Sequence, residues 1–212
     1  MRRLNKIIRK LNVLFITCVL LVAMAGCSST TDNSNDSMLS SESTQFEVNS
    51  HYETVAVPEG GWTAEELEKT IRIDGKAIQI PFTIDSLGDA FDIDETTITF
   101  SSASKKASGN LTYNKEIVGA FSVEVDNIDE LGQGKILILA FKPFKVDYSS
   151  LVYINGVTIG SGYDDVLEYL GKPTEITDAN KNYYMHYRFE QYLLTFGIEE
   201  EMVNLIKIEE DK

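Results

Sequence analysis

The sequence predicts an α+β fold of two similar modules, each with short helices packed on an antiparallel β-sheet. Three observations carry this. First, Ile71-Arg72-Ile73-Asp74-Gly75-Lys76-Ala77-Ile78 returns 81 residues later as Val152-Tyr153-Ile154-Asn155-Gly156-Val157-Thr158-Ile159. Both copies read apolar, any, apolar, Asp or Asn, Gly, any, any, Ile, and Asp-Gly and Asn-Gly are signals for a tight turn between short extended pieces. Second, Tyr163, Val166, Leu167 and Leu170 fall at i, i+3, i+4 and i+7, one apolar face of a helix. Third, that helix is followed by runs that alternate apolar and polar, with short links that suit an antiparallel meander.

Taken in order, the chain divides into 1–26, a signal peptide; 27–50, a tether; 51–148, a first module; and 149–212, a second module. Arg2, Arg3, Lys6, Arg9 and Lys10 make a charged start, and residues 13–25 are an apolar run of 13 residues. A membrane-spanning helix needs about 20, so the pattern is that of an export signal. Leu21-Val22-Ala23-Met24-Ala25-Gly26-Cys27 resembles the lipobox of bacterial lipoproteins. The resemblance implies cleavage before Cys27 and a diacylglycerol on its thiol. Two acyl chains suffice for stable attachment. The expected location is therefore the extracytoplasmic face of the cell membrane, with the membrane itself as a partner through the lipid on Cys27.

Residues 28–50 are rich in Ser, Thr, Asn, Asp and Glu and bury too little to offset the entropy of ordering. As a random coil this spacer has a mean span of roughly 25 Å. The formal net charge is −14, and removing the five basic residues of the signal leaves −19. Such a chain is not expected to bind nucleic acid by charge. Cys18 lies in the discarded run and Cys27 is the lipid site, so the folded part has no disulfide.

In the first module, residues 62–69 suit a short helix capped by Thr63 with Glu66 three residues on. Residues 85–91 are expected as a second helix. Residues 96–100, 110–113, 116–125 and 135–141 read as strands, with 101–109 a loop. In the second module, Ser161 and Asp164 are the expected cap of a helix that Gly171 and Pro173 end. Strands follow at 183–189, 192–198 and 202–208.

The run Gly160-Ser161-Gly162-Tyr163-Asp164-Asp165-Val166-Leu167-Glu168-Tyr169-Leu170-Gly171-Lys172-Pro173 resembles the helix and Leu-Gly-x-Pro segment of small bacterial lipoproteins with the BamE/SmpA fold. Tandem copies of a similar unit occur in beta-lactamase-inhibitor-like proteins. The resemblance implies helices on one side of an antiparallel sheet and a role in envelope assembly or enzyme inhibition. No inhibitory residue carries over.

No chemical motif stands out. Gly160-Ser161-Gly162 lacks a following Lys and precedes Asp164-Asp165, which repel phosphate. Asp85, Asp89, Asp92, Asp94 and Glu95 lack the EF-hand register. His51 and His186 sit in no ligand or nucleophile pattern. No catalytic residue, metal ligand or cofactor is therefore assigned. In the strand 183–189, Tyr183, Met185, Tyr187 and Phe189 are expected to face the helix. Tyr184, His186 and Arg188 are then expected to face outward as an interaction surface for a protein partner, since aromatic residues and Arg suit interfaces. The expected function is a non-enzymatic binding module of the envelope. The alternative is a small-molecule or cation-binding accessory lipoprotein.

Overall fold

The computed structural model describes residues 52–142, 146–179 and 182–211, all within the unit that spans residues 46–212. The signal segment, Cys27 and the tether lie outside the described residues. The strand Lys135–Phe141 shows how the rest is built. Ile136, Leu137, Leu139 and Phe141 are all buried, so this strand is apolar on both faces and belongs in the middle of a sheet.

Twelve strands are described: β1 (Ile71–Ile73), β2 (Lys76–Ala77), β3 (Phe91–Ile93), β4 (Thr99–Ser101), β5 (Lys106–Tyr113), β6 (Glu116–Glu124), β7 (Lys135–Phe141), β8 (Val152–Ile154), β9 (Glu175–Ala179), β10 (Asn182–Arg188), β11 (Tyr192–Glu199) and β12 (Met202–Glu210). The helices are α1 (Ala64–Glu68) and α2 (Tyr163–Leu170). Nine strands form one antiparallel sheet in the order β3-β5-β6-β7-β12-β11-β10-β9, with β4 also on β5. The remaining three form a small sheet in the order β2-β1-β8.

The expected α+β fold in two modules is overturned. The described residues are dominated by antiparallel strands, and the two α-helices have only 5 and 8 residues. The parts do not close on themselves either. β7 of the first half pairs with β12 of the second, Phe141 opposite Ile206 and Leu139 opposite Ile208. The two copies of the repeated motif also pair with each other, Ile71 opposite Ile154 and Ile73 opposite Val152. Backbone hydrogen-bonding groups along a strand with so apolar a run need partners on both edges, and β6 and β12 supply them.

Several local expectations change as well. Residues 85–91 hold a single 3-10 turn, Asp85–Leu87, because Gly88 at φ 110° stops it. β5 starts at Lys106, so much of the expected loop 101–109 is strand. Helix α2 begins after Gly162, whose N–H donates to Asp165 Oδ2 at 2.7 Å. Ser161 accepts instead from the Thr158 N–H at 2.9 Å. The Thr63 and Glu66 box at α1 forms as the spacing suggests, with Glu66 N–H to Thr63 Oγ1 at 3.2 Å and Thr63 N–H to Glu66 Oε2 at 3.1 Å.

Directly opposed residues share a face of a sheet, so the register sorts the large sheet into two sides. One row reads Met185, Phe196, Ile206, Phe141, Gly119, Leu111. Its side chains join Leu67, Ile71, Ile154, Val166 and Leu170 in one buried cluster. Burial of each such side chain contributes ~1.5–3 kcal/mol. Polar ties hold the covering elements to this side. Tyr187 Oη donates to the Gly171 carbonyl at 2.8 Å beyond α2, and Tyr192 Oη donates to the Ala64 carbonyl at 3.2 Å in α1.

Ahead of α1, residues 52–57 run without regular structure against the second motif. Asn155 is fully buried and pins them. Its Oδ1 accepts from the Val55 N–H at 2.7 Å, and its Nδ2 donates to the Val55 carbonyl at 2.9 Å and the Tyr169 carbonyl at 2.6 Å.

Candidate functional site: the open face of the large sheet

The other side of the sheet carries the adjacent row His186, Thr195, Lys207, Ala140, Ala120, Asn110. It is short in side chain and polar, where the core row is large and apolar. Strand alternation therefore puts Met185 and Tyr187 inside, at 0% and 4% exposure, and Tyr184, His186 and Arg188 on the open side. Tyr184 and His186 are half-buried and Arg188 is exposed.

The expected inward set changes at its ends. Tyr183 is 44% exposed and Phe189 is only half-buried. Tyr183 lies opposite Asp178 of β9, and Ile176 of the same edge strand, opposite Met185, is 46% exposed. Phe189 packs on Tyr192 with ring centroids 4.9 Å apart.

His186 is held across three strands. Its Nε2 is 2.9 Å from Thr177 Oγ1 on β9, and its Nδ1 is 3.1 Å from Thr195 Oγ1 on β11. Burial holds the imidazole pKa below its ordinary value, against the opposing field of Glu175. Lys207 and Arg188 lower it further, and Glu209 raises it. A neutral ring has one donor and one acceptor nitrogen, and two hydroxyls satisfy both. Neither nitrogen faces a carboxylate, so this is a hydrogen-bonded clamp and not a base oriented toward a nucleophile.

Arg188 and Lys207 are likewise committed. Arg188 Nη1 pairs with Asp211, the Arg188 N–H donates to Thr174 Oγ1 at 3.1 Å, and Lys207 Nζ meets Glu209 Oε2 at 2.6 Å. The face thus presents fixed side chains with balanced charge, ringed by Tyr184 and Leu193. The sequence pattern placed Tyr184, His186 and Arg188 together. It missed Thr195 and Thr177, because which strands flank β10 is not written in its own alternation.

Among the described residues no group of three or more His, Cys, Asp or Glu side chains is placed to hold a metal ion. No helix of the described residues is long and apolar enough to cross a membrane.

No protein-family model matches the chain, and no curated protein matches it. Among solved structures it is similar to a DUF4309 family protein (YjgB) from Bacillus subtilis, at 13% identity and a TM-score of 0.30. That alignment covers 58% of this chain and 66% of the other, just under two thirds of its length.

Proposed function

We propose that the chain is a lipoprotein anchored through Cys27 on the extracytoplasmic face of the cell membrane, where it serves as a non-enzymatic protein-interaction module. The open sheet face around Tyr184, His186 and Arg188 is the contact surface. The observation that carries this is the fixed geometry of that face. The His186 clamp and the Arg188–Asp211 pair hold polar side chains in place before any partner arrives. Pre-organised side chains lose less entropy on binding.

The test is co-purification from membranes of cells making the full chain. A specific protein should accompany the native chain and be lost with the double substitution Tyr184→Ala and Arg188→Ala. Retention of the same partner by the double variant would reject the face. The anchor has its own test. Cys27→Ser should abolish fatty-acid labelling and processing, and continued cleavage before residue 27 would sink the lipid reading.

A second reading, a small-molecule-binding accessory lipoprotein, is favoured by a cleft of about 500 Å³ elsewhere on the surface, between residues 52–58 and α1.

A further inference from the structure

That cleft is built by three parts of the chain. Residues 52–58 form one wall, α1 and the residues before it a second, and Arg72 of β1 with Tyr153 of β8 the base. Three aromatic side chains line it: Tyr52, Trp62 and Tyr153. The rings of Tyr52 and Tyr153 lie 5.2 Å apart and tilted by 51°, and Tyr153 Oη donates to the Tyr52 carbonyl at 3.1 Å. The first wall is therefore fixed to the base.

The charges of the lining set it apart from the rest of the surface. The lining holds two acids, Glu53 and Glu66, and two bases, Lys69 and Arg72, with Lys69 also paired to Glu65 at 2.7 Å, in a chain whose net charge is −14. A lining so nearly balanced gives little electrostatic preference for an anion or a cation. It does offer planar donors and acceptors. Arg72 Nη1 donates to the Lys69 and Ile71 carbonyls at 2.5 and 2.9 Å, which orients the guanidinium. Among the described residues no carboxylate pairs with it, and it lies 6.0 Å from the centroid of the Tyr52 ring. The Trp62 Nε1 donor, shielded from solvent, also meets no acceptor among the described residues.

An exposed aromatic surface on Tyr52, nearly balanced charges and the remaining donors of an oriented Arg72 suit a ring with an apolar C–H face and hydroxyl edges. We propose that this cleft binds a neutral saccharide, with its C–H face on the exposed Tyr52 and its hydroxyls on Arg72 and Glu53. The volume of about 500 Å³ holds a short run of sugar rings and not an extended polymer. The site is remote in sequence from the Tyr184, His186 and Arg188 face, and neither reading depends on the other.

The chain has one tryptophan, Trp62, so its fluorescence reports on this cleft alone. The full chain is titrated with cellohexaose, chitohexaose, glucose and N-acetylglucosamine, with benzoate and choline as charged comparators. The expected result is a saturable change in emission with at least one neutral sugar and none with the comparators. Arg72→Leu and, separately, Tyr52→Ala should each weaken that sugar about tenfold, the loss of one charged hydrogen bond or one stacking contact. Circular dichroism identifies any variant that fails to fold, and the other then stands as the test. Tyr184→Ala with Arg188→Ala should leave the titration unchanged. Equal affinity for monosaccharide and hexasaccharide points to a free sugar, and preference for the hexasaccharide points to a wall polymer; both support the site. No saturable response to any sugar, a response confined to benzoate or choline, or full affinity in both folded variants overturns it.

Discussion

The Asp74-Gly75 and Asn155-Gly156 turns follow equivalent strands and share one backbone path. Asp74 and Asn155 sit at φ 50° and 45°, and Gly75 and Gly156 at φ 74° and 100°. Their side chains do different work. Asp74 offers only acceptors, and takes one hydrogen bond, from Tyr113 Oη at 2.8 Å near the surface. Asn155 has donors and an acceptor on one group, is fully buried, and ties residues 52–57 and the end of α2 together. Conformation made these positions interchangeable, since both Asp and Asn tolerate the left-handed region. Chemistry did not. An amide can mimic a piece of strand edge, and a carboxylate cannot.

The strongest way to break this comparison is to exchange the two side chains. Asn155→Asp aims a buried carboxylate at the Val55 and Tyr169 carbonyls, and should cost about 3 kcal/mol or more. Asp74→Asn keeps an oxygen for Tyr113 and should cost less than about 1 kcal/mol. Urea midpoints at unchanged slope measure both. Equal costs would mean that the turns are equivalent after all.

A smaller difference separates the glycines. A methyl at Gly156 would lie 2.9 Å from the Tyr169 ring and 3.0 Å from Thr54, whereas one at Gly75 would meet only the Tyr52 hydroxyl, at 2.6 Å. Both positions carry the penalty of positive φ, but at Gly75 the one close contact is the tip of a partly exposed side chain, whereas at Gly156 it is a ring body and a methyl. Gly156→Ala should cost about 2 kcal/mol and Gly75→Ala about 1 kcal/mol by the same unfolding measurement.

Tyr113→Phe sharpens the comparison from the partner's side. It removes one partly exposed hydrogen bond and should cost about 1 kcal/mol. With Asp74→Asn as the second arm of a double-mutant cycle, the two costs should fall short of adding.

The last test is pH. The hydrogen bond to Asp74, then burial, raises the Tyr113 phenol above its ordinary value of 10.0. The folded state thus holds the proton more tightly than the unfolded chain. Its contribution is complete below pH 10 and is lost as pH rises through the folded value. Asn155 has no titrating group. The alkaline fall in stability should be shallower in Tyr113→Phe than in the native chain, and Asn155→Ala should leave its slope unchanged. Burial also raises Tyr187 and Tyr192, so the comparison between variants, not the native curve alone, carries the result.

Much of the local structure was legible because it depends on neighbours in sequence. Alternation marked β10 to β12, the Tyr163, Val166, Leu167 and Leu170 stripe marked α2, and Asp-Gly and Asn-Gly marked the turns. The misreadings came from long-range pairing. Leu87 and Phe91 look like one turn of helix, yet Phe91 opens β3 because Tyr113 of β5 lies opposite it. The run Ile136 to Phe141 marks a strand without naming its neighbour, and that neighbour, β12, lies in the other half of the chain. At the open face, Tyr184, His186 and Arg188 were visible in the pattern, while Thr177 and Thr195, which fix His186, required the sheet order. In the cleft, Tyr52 and Glu53 carry no periodic signal at all, and the long-range ties of Asn155 to Val55 and of Tyr153 to Tyr52 explain why they stay.

The β7–β12 ladder also sets when the protein can finish folding. β7 leaves the site of synthesis with both faces apolar and one edge unpaired, and its partner is the last strand of the described chain. Until β12 arrives, Lys135–Phe141 is an adhesive edge, open to the wrong neighbour. Assembly therefore waits on β12, and a chain cut short before residue 202 needs a chaperone more than one that includes this strand does.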